Sequence, residues 1–255
     1  MKVSIITVTL NSEVFIESCL TSVKQQNYSE IEHIIIDGGS TDKTIEIINS
    51  NKNKKLIFLS ETDNGIYDAL NKGIKIATGN VIGILHSDDI FSNTSVLNEV
   101  VKVIKEKKVD ILSGDVFYYD QQKKNIKNRV IVSSSFKPWM FRYGFMPAHT
   151  ATFVKKNVFN KIGLYDSTFK SAGDFDLLLR IYLKKEFKIF YLNKVLVYMR
   201  TGGISTSGFK SYIRTSKEIL KALKKNNVYS NFLFVLLRLP IKQIKKWIFK
   251  LRSIK

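Results

Sequence analysis

Polar residues recur at the ends of apolar runs: Asn11 after Val3–Leu10, Asp37 after Ile31–Ile36, Glu61 and Asp63 after Lys55–Ser60, and Asp88 with Asp89 after Val81–Leu85. If those runs are parallel strands, their carboxyl ends bring the polar groups to one edge, where open α/β sheets bind ligands. Acidic groups gathered there are poor phosphate receptors by themselves. They suit hydroxyls, base N–H groups and a divalent cation. Within Asp37-Gly38-Gly39-Ser40-Thr41 a turn with a helix cap accounts for Ser40 or Thr41 but leaves Asp37 over, which points to ligand contact. Asp174 and Asp176 open a second acidic site, the start of the apolar run Phe175–Leu183, where carboxylates complement a helix dipole. Asp176 and Arg180 stand four apart and read as a local ion pair.

The elements that must position these groups follow from periodicity. Strands are predicted over Val3–Leu10, Ile31–Ile36, Lys55–Ser60, Val81–Leu85 and Val109–Tyr118. Helices are predicted over Ser12–Gln26, Thr41–Asn49, Gly65–Ala77 and Thr94–Lys107. Strand–helix–strand alternation with short polar joints implies right-handed crossovers and a largely parallel sheet covered on both faces. The second half is less regular: a hairpin arm over Lys123–Val132, an aromatic helix or loop over Pro138–Gly144, and a strand over Thr150–Val154. Helices over Asn157–Ile162 and Asp174–Leu183 follow, then short strands over Lys188–Leu192 and Val195–Met199, then two further helices.

The chain has 255 residues, 44% hydrophobic, enough for a sizeable core. Its one cysteine, Cys19, excludes an intramolecular disulfide framework and a multi-cysteine zinc site. The net charge of +19 invites anionic partners. Residues 206–255 hold 13 basic side chains and one acidic, Glu218, so most of the excess belongs to that segment. No signal-peptide pattern and no stretch of about 20 apolar residues is seen.

The ordered set Ser4-Ile5-Ile6-Thr7-Val8-Thr9-Leu10-Asn11, Ile36-Asp37-Gly38-Gly39-Ser40-Thr41-Asp42, Asp63–Gly73, His86-Ser87-Asp88-Asp89, Gly173–Leu177 with Arg180, and Gly202-Gly203-Ile204-Ser205 resembles family 2 glycosyltransferases. The likeness covers about residues 1–205 and is nearest to enzymes building bacterial surface polysaccharides. It implies the GT-A fold: a mostly parallel central sheet flanked by helices, here with C-terminal helices added. Residues 1–205 form the transferase domain and 206–255 a basic helical extension. The implied reaction moves one hexosyl or N-acetylhexosaminyl unit from a nucleotide-sugar, UDP-linked by expectation, to an acceptor hydroxyl with inversion.

The resemblance also assigns roles. Asp174 becomes the general base, preceded by Gly173 where the family usually has glutamate. Asp37 contacts the nucleotide base, with Thr9, Asn11 and Asp63 lining the same site. His86-Ser87-Asp88-Asp89 corresponds to the D-x-D motif with His86 replacing its first aspartate; Asp88, assisted by Asp89, would hold Mg²⁺ or Mn²⁺ against the donor diphosphate. His149 either touches the diphosphate or acceptor or is a packed histidine, and Trp139 either stacks on a sugar or belongs to the core. The Q-x-x-R-W motif of processive members is absent, which favours single transfer.

Residues 241–255 place Ile241, Ile244, Trp247, Ile248, Leu251 and Ile254 on one helical side and five basic residues on the other, the pattern of an interfacial membrane helix. The expected setting is cytoplasmic, peripheral on the inner face of the membrane, with a saccharide or lipid-linked acceptor. Two rival readings remain: a nucleotide-sugar-binding module without catalysis, raised by His86 and Gly173, and a basic nucleic-acid binder. No nucleic-acid motif supports the latter.

Overall fold

The computed structural model describes residues 1–120, 125–131, 133–200, 208–238 and 241. The first half forms β1 (Val3–Thr9), α1 (Ile16–Lys24), β2 (Ile31–Asp37), α2 (Thr44–Ser50), β3 (Leu56–Ser60), α3 (Ile66–Ile76), β4 (Val81–Ile84), β5 (Ile90–Phe91), α4 (Val96–Lys107) and β6 (Ile111–Asp120). β1 and β2 are buried at every position, as β-branched runs covered on both faces must be. The described strands make one sheet in the order β3-β2-β1-β4, then β8 (Thr152–Lys155), β6, β9 (Ile189–Arg200) and β5, with β7 (Asn125–Ile131) on β6. β1 to β4 are parallel, as are β6 and β9. β8 is inserted antiparallel between β4 and β6, a placement that periodicity does not reveal.

Two boundaries depart from expectation for local reasons. Helix α1 starts at Ile16, not Ser12, because residues 11–13 are drawn into loop contacts. Asn11 takes a left-handed φ of 47°, Ser12 N donates to Thr44 Oγ1 and Glu13 N to Asp42 Oδ2. The two short strands predicted over 188–199 are one strand, β9, whose register against β6 shifts beside Gly114. A Cβ at Gly114 would lie 2.4 Å from the Leu196 side chain, so glycine lets the strand bulge inward there.

The remaining elements are α5 (Lys156–Ile162), α6 (Gly173–Leu183), α7 (Gly208–Lys225) and α8 (Phe232–Leu236), with a 3₁₀ turn over Pro138–Tyr143. Ile219, Ala222, Leu223 and Val235 join the same buried cluster as Ile6, Leu70, Phe141 and Phe175. The described part of 206–255 is therefore packed into the core of 1–205. Its only acid, Glu218, accepts from Lys170 N, Ser171 N and Ala172 N and from Ser171 Oγ, tying α7 to the entrance of α6. Gly202–Ser205 and the tail from 242 lie outside the described residues. Among the described residues, no helix is long and apolar enough to cross a membrane.

Candidate active site

The parallel register aligns Thr9 with Asp37 and Asp37 with Ser60 at the carboxyl edge. Thr9 is buried and its Oγ1 has no hydrogen-bond partner. Asp37 is wholly buried. Its Oδ2 accepts from Gly39 N at 3.1 Å, Ser40 N at 3.0 Å and Ser60 Oγ at 2.7 Å, and its Oδ1 accepts from Ser40 Oγ. The β2 turn and β3 thus engage both carboxylate oxygens, so Asp37 holds its own turn together at the edge of the sheet. Asn11 is exposed and works as a clasp: its N donates to Ser40 Oγ and its Oδ1 accepts from Thr41 N. Asp63 differs from Asp37. It is half-buried, its Oδ1 accepts from Gly65 N, and its Oδ2 lies 2.7 Å from where a Cβ on Gly38 would stand. Any side chain at 38 would displace that carboxylate, which reaches over the turn at the edge of the sheet.

Beyond β4, Asp88 is half-buried while Asp89 is 1% exposed. Asp89 Oδ1 accepts from Arg200 N on β9 at 3.3 Å and its Oδ2 has no partner. Burial and the neighbouring Asp88 charge push the Asp89 carboxyl well above the usual carboxylate range. His86 also keeps a buried, unpartnered Nδ1. Among the described residues no group of three or more His, Cys, Asp or Glu could enclose a metal. Of the two motif carboxylates, Asp88 is the more accessible, and it would be the one to offer an oxygen to a hard cation. Asp89, engaged with β9, supports the loop from behind. Thr9, His86 and Asp89, at the ends of β1 and β4, are three of five buried orphan atoms among the described residues; Thr150, after His149, is a fourth. Buried polar atoms without partners are uncommon, and their concentration here marks a site built for something other than the fold.

Asp174 opens the third wall, half-buried in the first turn of α6. Burial raises its carboxyl to about 6, opposed by hydrogen bonds to Oδ1 from Phe175 N at 2.8 Å and Tyr67 OH at 3.3 Å. Asp176, by contrast, is fully buried and held by Arg180 Nε at 2.8 Å and Asn226 Nδ2 at 2.9 Å, the structural role its spacing suggests. Among the described residues His149 is a packed histidine: its Nε2 hydrogen-bonds Tyr165 OH at 2.5 Å, and burial with the nearby His86 lowers it to about 3, leaving it neutral. The His86 and His149 rings stand 6.1 Å apart, so His149 joins the D-x-D loop to the α6 side. Trp139 is 62% exposed and meets Tyr143 edge-on at 5.8 Å, outside the core.

Residues 4–168 match the model for glycosyl transferase family 2. The chain belongs to that family. It is 29% identical over 248 residues to a PGL/p-HBAD biosynthesis glycosyltransferase of Mycobacterium tuberculosis, covering 96% of this chain and 90% of the relative. An uncharacterized glycosyltransferase from the same organism is 34% identical over 180 residues, covering 70% of this chain and 68% of the relative. Among solved structures, S. aureus TarS 1-349 in complex with UDP-GlcNAc superposes with a TM-score of 0.70 at 24% identity, over 88% of this chain and 66% of that one. The mannosyltransferase PcManGT from Pyrobaculum calidifontis in complex with GDP-Man and Mn²⁺ gives 0.67 at 18% identity, over 96% of this chain and 69% of that one. These structures show that the fold of this family 2 glycosyltransferase is GT-A. The sequence of the glycosyltransferase carries no signal for Tyr165 or Arg238, and it leaves Tyr67 open between a site role and a structural one. Arg238 is buried, lies over Tyr212 and helps hold the Asp174 carboxyl down. Tyr67 had one signal, since it lies in the Asp63–Gly73 run that carries the resemblance.

Proposed function

We propose that this glycosyltransferase transfers one sugar from a UDP-sugar to an acceptor hydroxyl with inversion, in the assembly of a cell-surface saccharide or glycolipid. One observation carries the choice of base in this reading: the half-buried Asp174 at a helix entrance, its Oδ1 held by Phe175 N and Tyr67 OH and its carboxyl raised to about 6 by burial. A general base works best with a pKa near the operating pH. Asp174 takes the acceptor proton at Oδ2, while Tyr67 and Phe175 N hold Oδ1. The oxygen so freed attacks the anomeric carbon from the side opposite the nucleotide, and the leaving UDP keeps the bonding electrons. A divalent cation at Asp88, when bound, supplies positive charge opposite the diphosphate. The UDP-GlcNAc complex of the TarS neighbour and the GDP-Man and Mn²⁺ complex of the other support a nucleotide-sugar and a cation, and they leave the base to be chosen by experiment. A screen of UDP-, GDP- and dTDP-sugars for binding and nucleotide release tests the reading, which fails if none is turned over.

Within this reading Asp63 faces the nucleobase and Asp37 holds the loop that lets it do so. Asp63→Ala is expected to weaken UDP binding about tenfold, with or without metal, and to leave the melting temperature unchanged. Asp37→Ala strands the donors of Gly39, Ser40 and Ser60 and should lower stability by about 2–4 kcal/mol, since each lost buried partner costs about 1–3 kcal/mol. Calorimetry with UDP and thermal unfolding separate the two; an unfolded Asp63→Ala would reverse the assignment.

Attachment to an anionic membrane is proposed on two grounds. The basic pattern of 241–255 is one, and an exposed apolar rim is the other. Leu233 is 71% exposed, Tyr229 68% and Leu237 45%, with the exposed Arg142 beside Tyr229. The Arg142 guanidinium lies over Tyr229, and Phe234 stacks on Tyr143 at 5.1 Å, so α8 and the 3₁₀ turn share this surface. Leu233→Asp and truncation after Ile241 should each cut sedimentation with phosphatidylglycerol vesicles at least fivefold without altering UDP binding. Full-length protein that ignores such vesicles would overturn the proposal.

A further inference from the structure

Where the family pattern places a glutamate before the catalytic aspartate, this chain has Gly173, and a tyrosine occupies the room. A Cβ on Gly173 would lie 2.8 Å from two atoms of the Tyr67 ring and 2.9 Å from a third. Tyr67 is 6% exposed in the first turn of α3, and its hydroxyl stands 3.3 Å from Asp174 Oδ1. Its ring stacks on Tyr165 at 5.7 Å and 23°, and Tyr165 in turn holds His149. The phenol is therefore clamped on both faces, by Gly173 and by Tyr165, with its one polar atom on the carboxylate. Residues 67 and 173 are far apart in sequence and complementary in size.

We propose that Tyr67 is a positioning residue for the transfer step: its hydroxyl donates to Asp174 Oδ1, leaving Oδ2 free for the acceptor proton, and Gly173 is small so that the ring can lie there. The proposal rests on Asp174 being the base. Other groups face this carboxyl. Tyr165 comes from the α5–α6 loop, and Arg238 from beyond α8 favours ionisation. Glu218 of α7 is occupied by the backbone of residues 170–172. Among these, only Tyr67 donates a side-chain hydrogen bond to Asp174 among the described residues. Burial and the Asp174 charge raise the phenol above the ordinary tyrosine range, which favours its protonated, donating form.

A hydrogen bond to the ionised form lowers a carboxyl pKa, so its removal must raise it. The test is an NMR titration of protein labelled with ¹³C at aspartate carboxyls, with the Asp174 signal assigned by its loss in Asp174→Asn. The wild-type midpoint is expected at about 6. Tyr67→Phe keeps the ring and the stack, and should raise the midpoint by about half to one unit. Gly173→Ala, which pushes the ring away with its hydroxyl intact, should shift it the same way. With the donor found in the nucleotide-sugar screen, Tyr67→Phe should lower kcat about tenfold at pH 6 with the donor KM unchanged and the acid limb moved upward. Thermal unfolding checks that both variants fold, and Tyr67→Phe suffices if Gly173→Ala does not. An unmoved midpoint, or a moved midpoint with kcat within twofold of wild type, overturns the role of Tyr67. Normal transfer by Asp174→Asn would instead remove the base assignment, and the role of Tyr67 with it; the titration tells the two failures apart.

Discussion

Asp174→Asn is expected to reduce transfer by about 10²–10⁴-fold, the usual contribution of general-base help, and to leave UDP affinity within about twofold. The asparagine keeps an oxygen for Phe175 N and Tyr67 OH, so the helix entrance stays formed while the basic group is gone. Stability separates chemistry from damage. The folded carboxyl is raised from 3.8 to about 6, chiefly by burial. A group with a raised folded pKa contributes stability below its unfolded value and loses it as pH rises through the folded one. Wild type therefore loses stability between about pH 4 and 6 from this group, whereas the amide does not ionise. The variant should melt at the same temperature as wild type or higher at pH 7. Transfer within tenfold of wild type would remove Asp174 from the base role, and a large drop in melting temperature would make the loss structural.

The second large effect concerns the cation. Asp88→Ala should abolish the gain in UDP affinity that Mn²⁺ confers, while affinity in chelator stays as in wild type. Asp88 is the half-exposed carboxylate of the motif; Asp89 is buried against β9. On the proposal that Asp88 alone would hold the ion from the protein side, the loss should be complete, not graded. Removing Asp88 also removes the charge that helps raise Asp89, so the loop should not be destabilised. Calorimetry with UDP, run with Mn²⁺ and with chelator, checks this. A Mn²⁺ gain that survives in Asp88→Ala, or one lost equally in Asp89→Asn with no fall in melting temperature, would move the ligand to another residue.

The scaffold of the first half could be read from the chain because β1, β2 and β4 are apolar, β-branched runs followed by polar residues, and their burial at every position leaves few other solutions. What escaped depends on contacts remote in sequence. The part Asp37 plays in shaping its own turn could not be read because Ser60, which completes its hydrogen bonding, comes 23 residues later. Gly38 held the hint, since the space it leaves is filled by Asp63. The antiparallel entry of β8 has no periodic signature, because a four-residue strand, Thr-Phe-Val-Lys, reads the same in either direction. Tyr67 and Asp174 are 107 residues apart, and only the small residue at 173 recorded that a large one had to fit beside it.

The grip of Glu218 on residues 170–172 bears on how the enzyme comes into being. The contact spans up to 48 residues and is made from a helix that leaves the ribosome after the sheet and α6. Domains fold as units, and α7 shares one buried cluster with the sheet and α6. The turn that presents Asp174 is therefore anchored only when α7 packs, so the position of that carboxyl is set in the same cooperative step that completes the core.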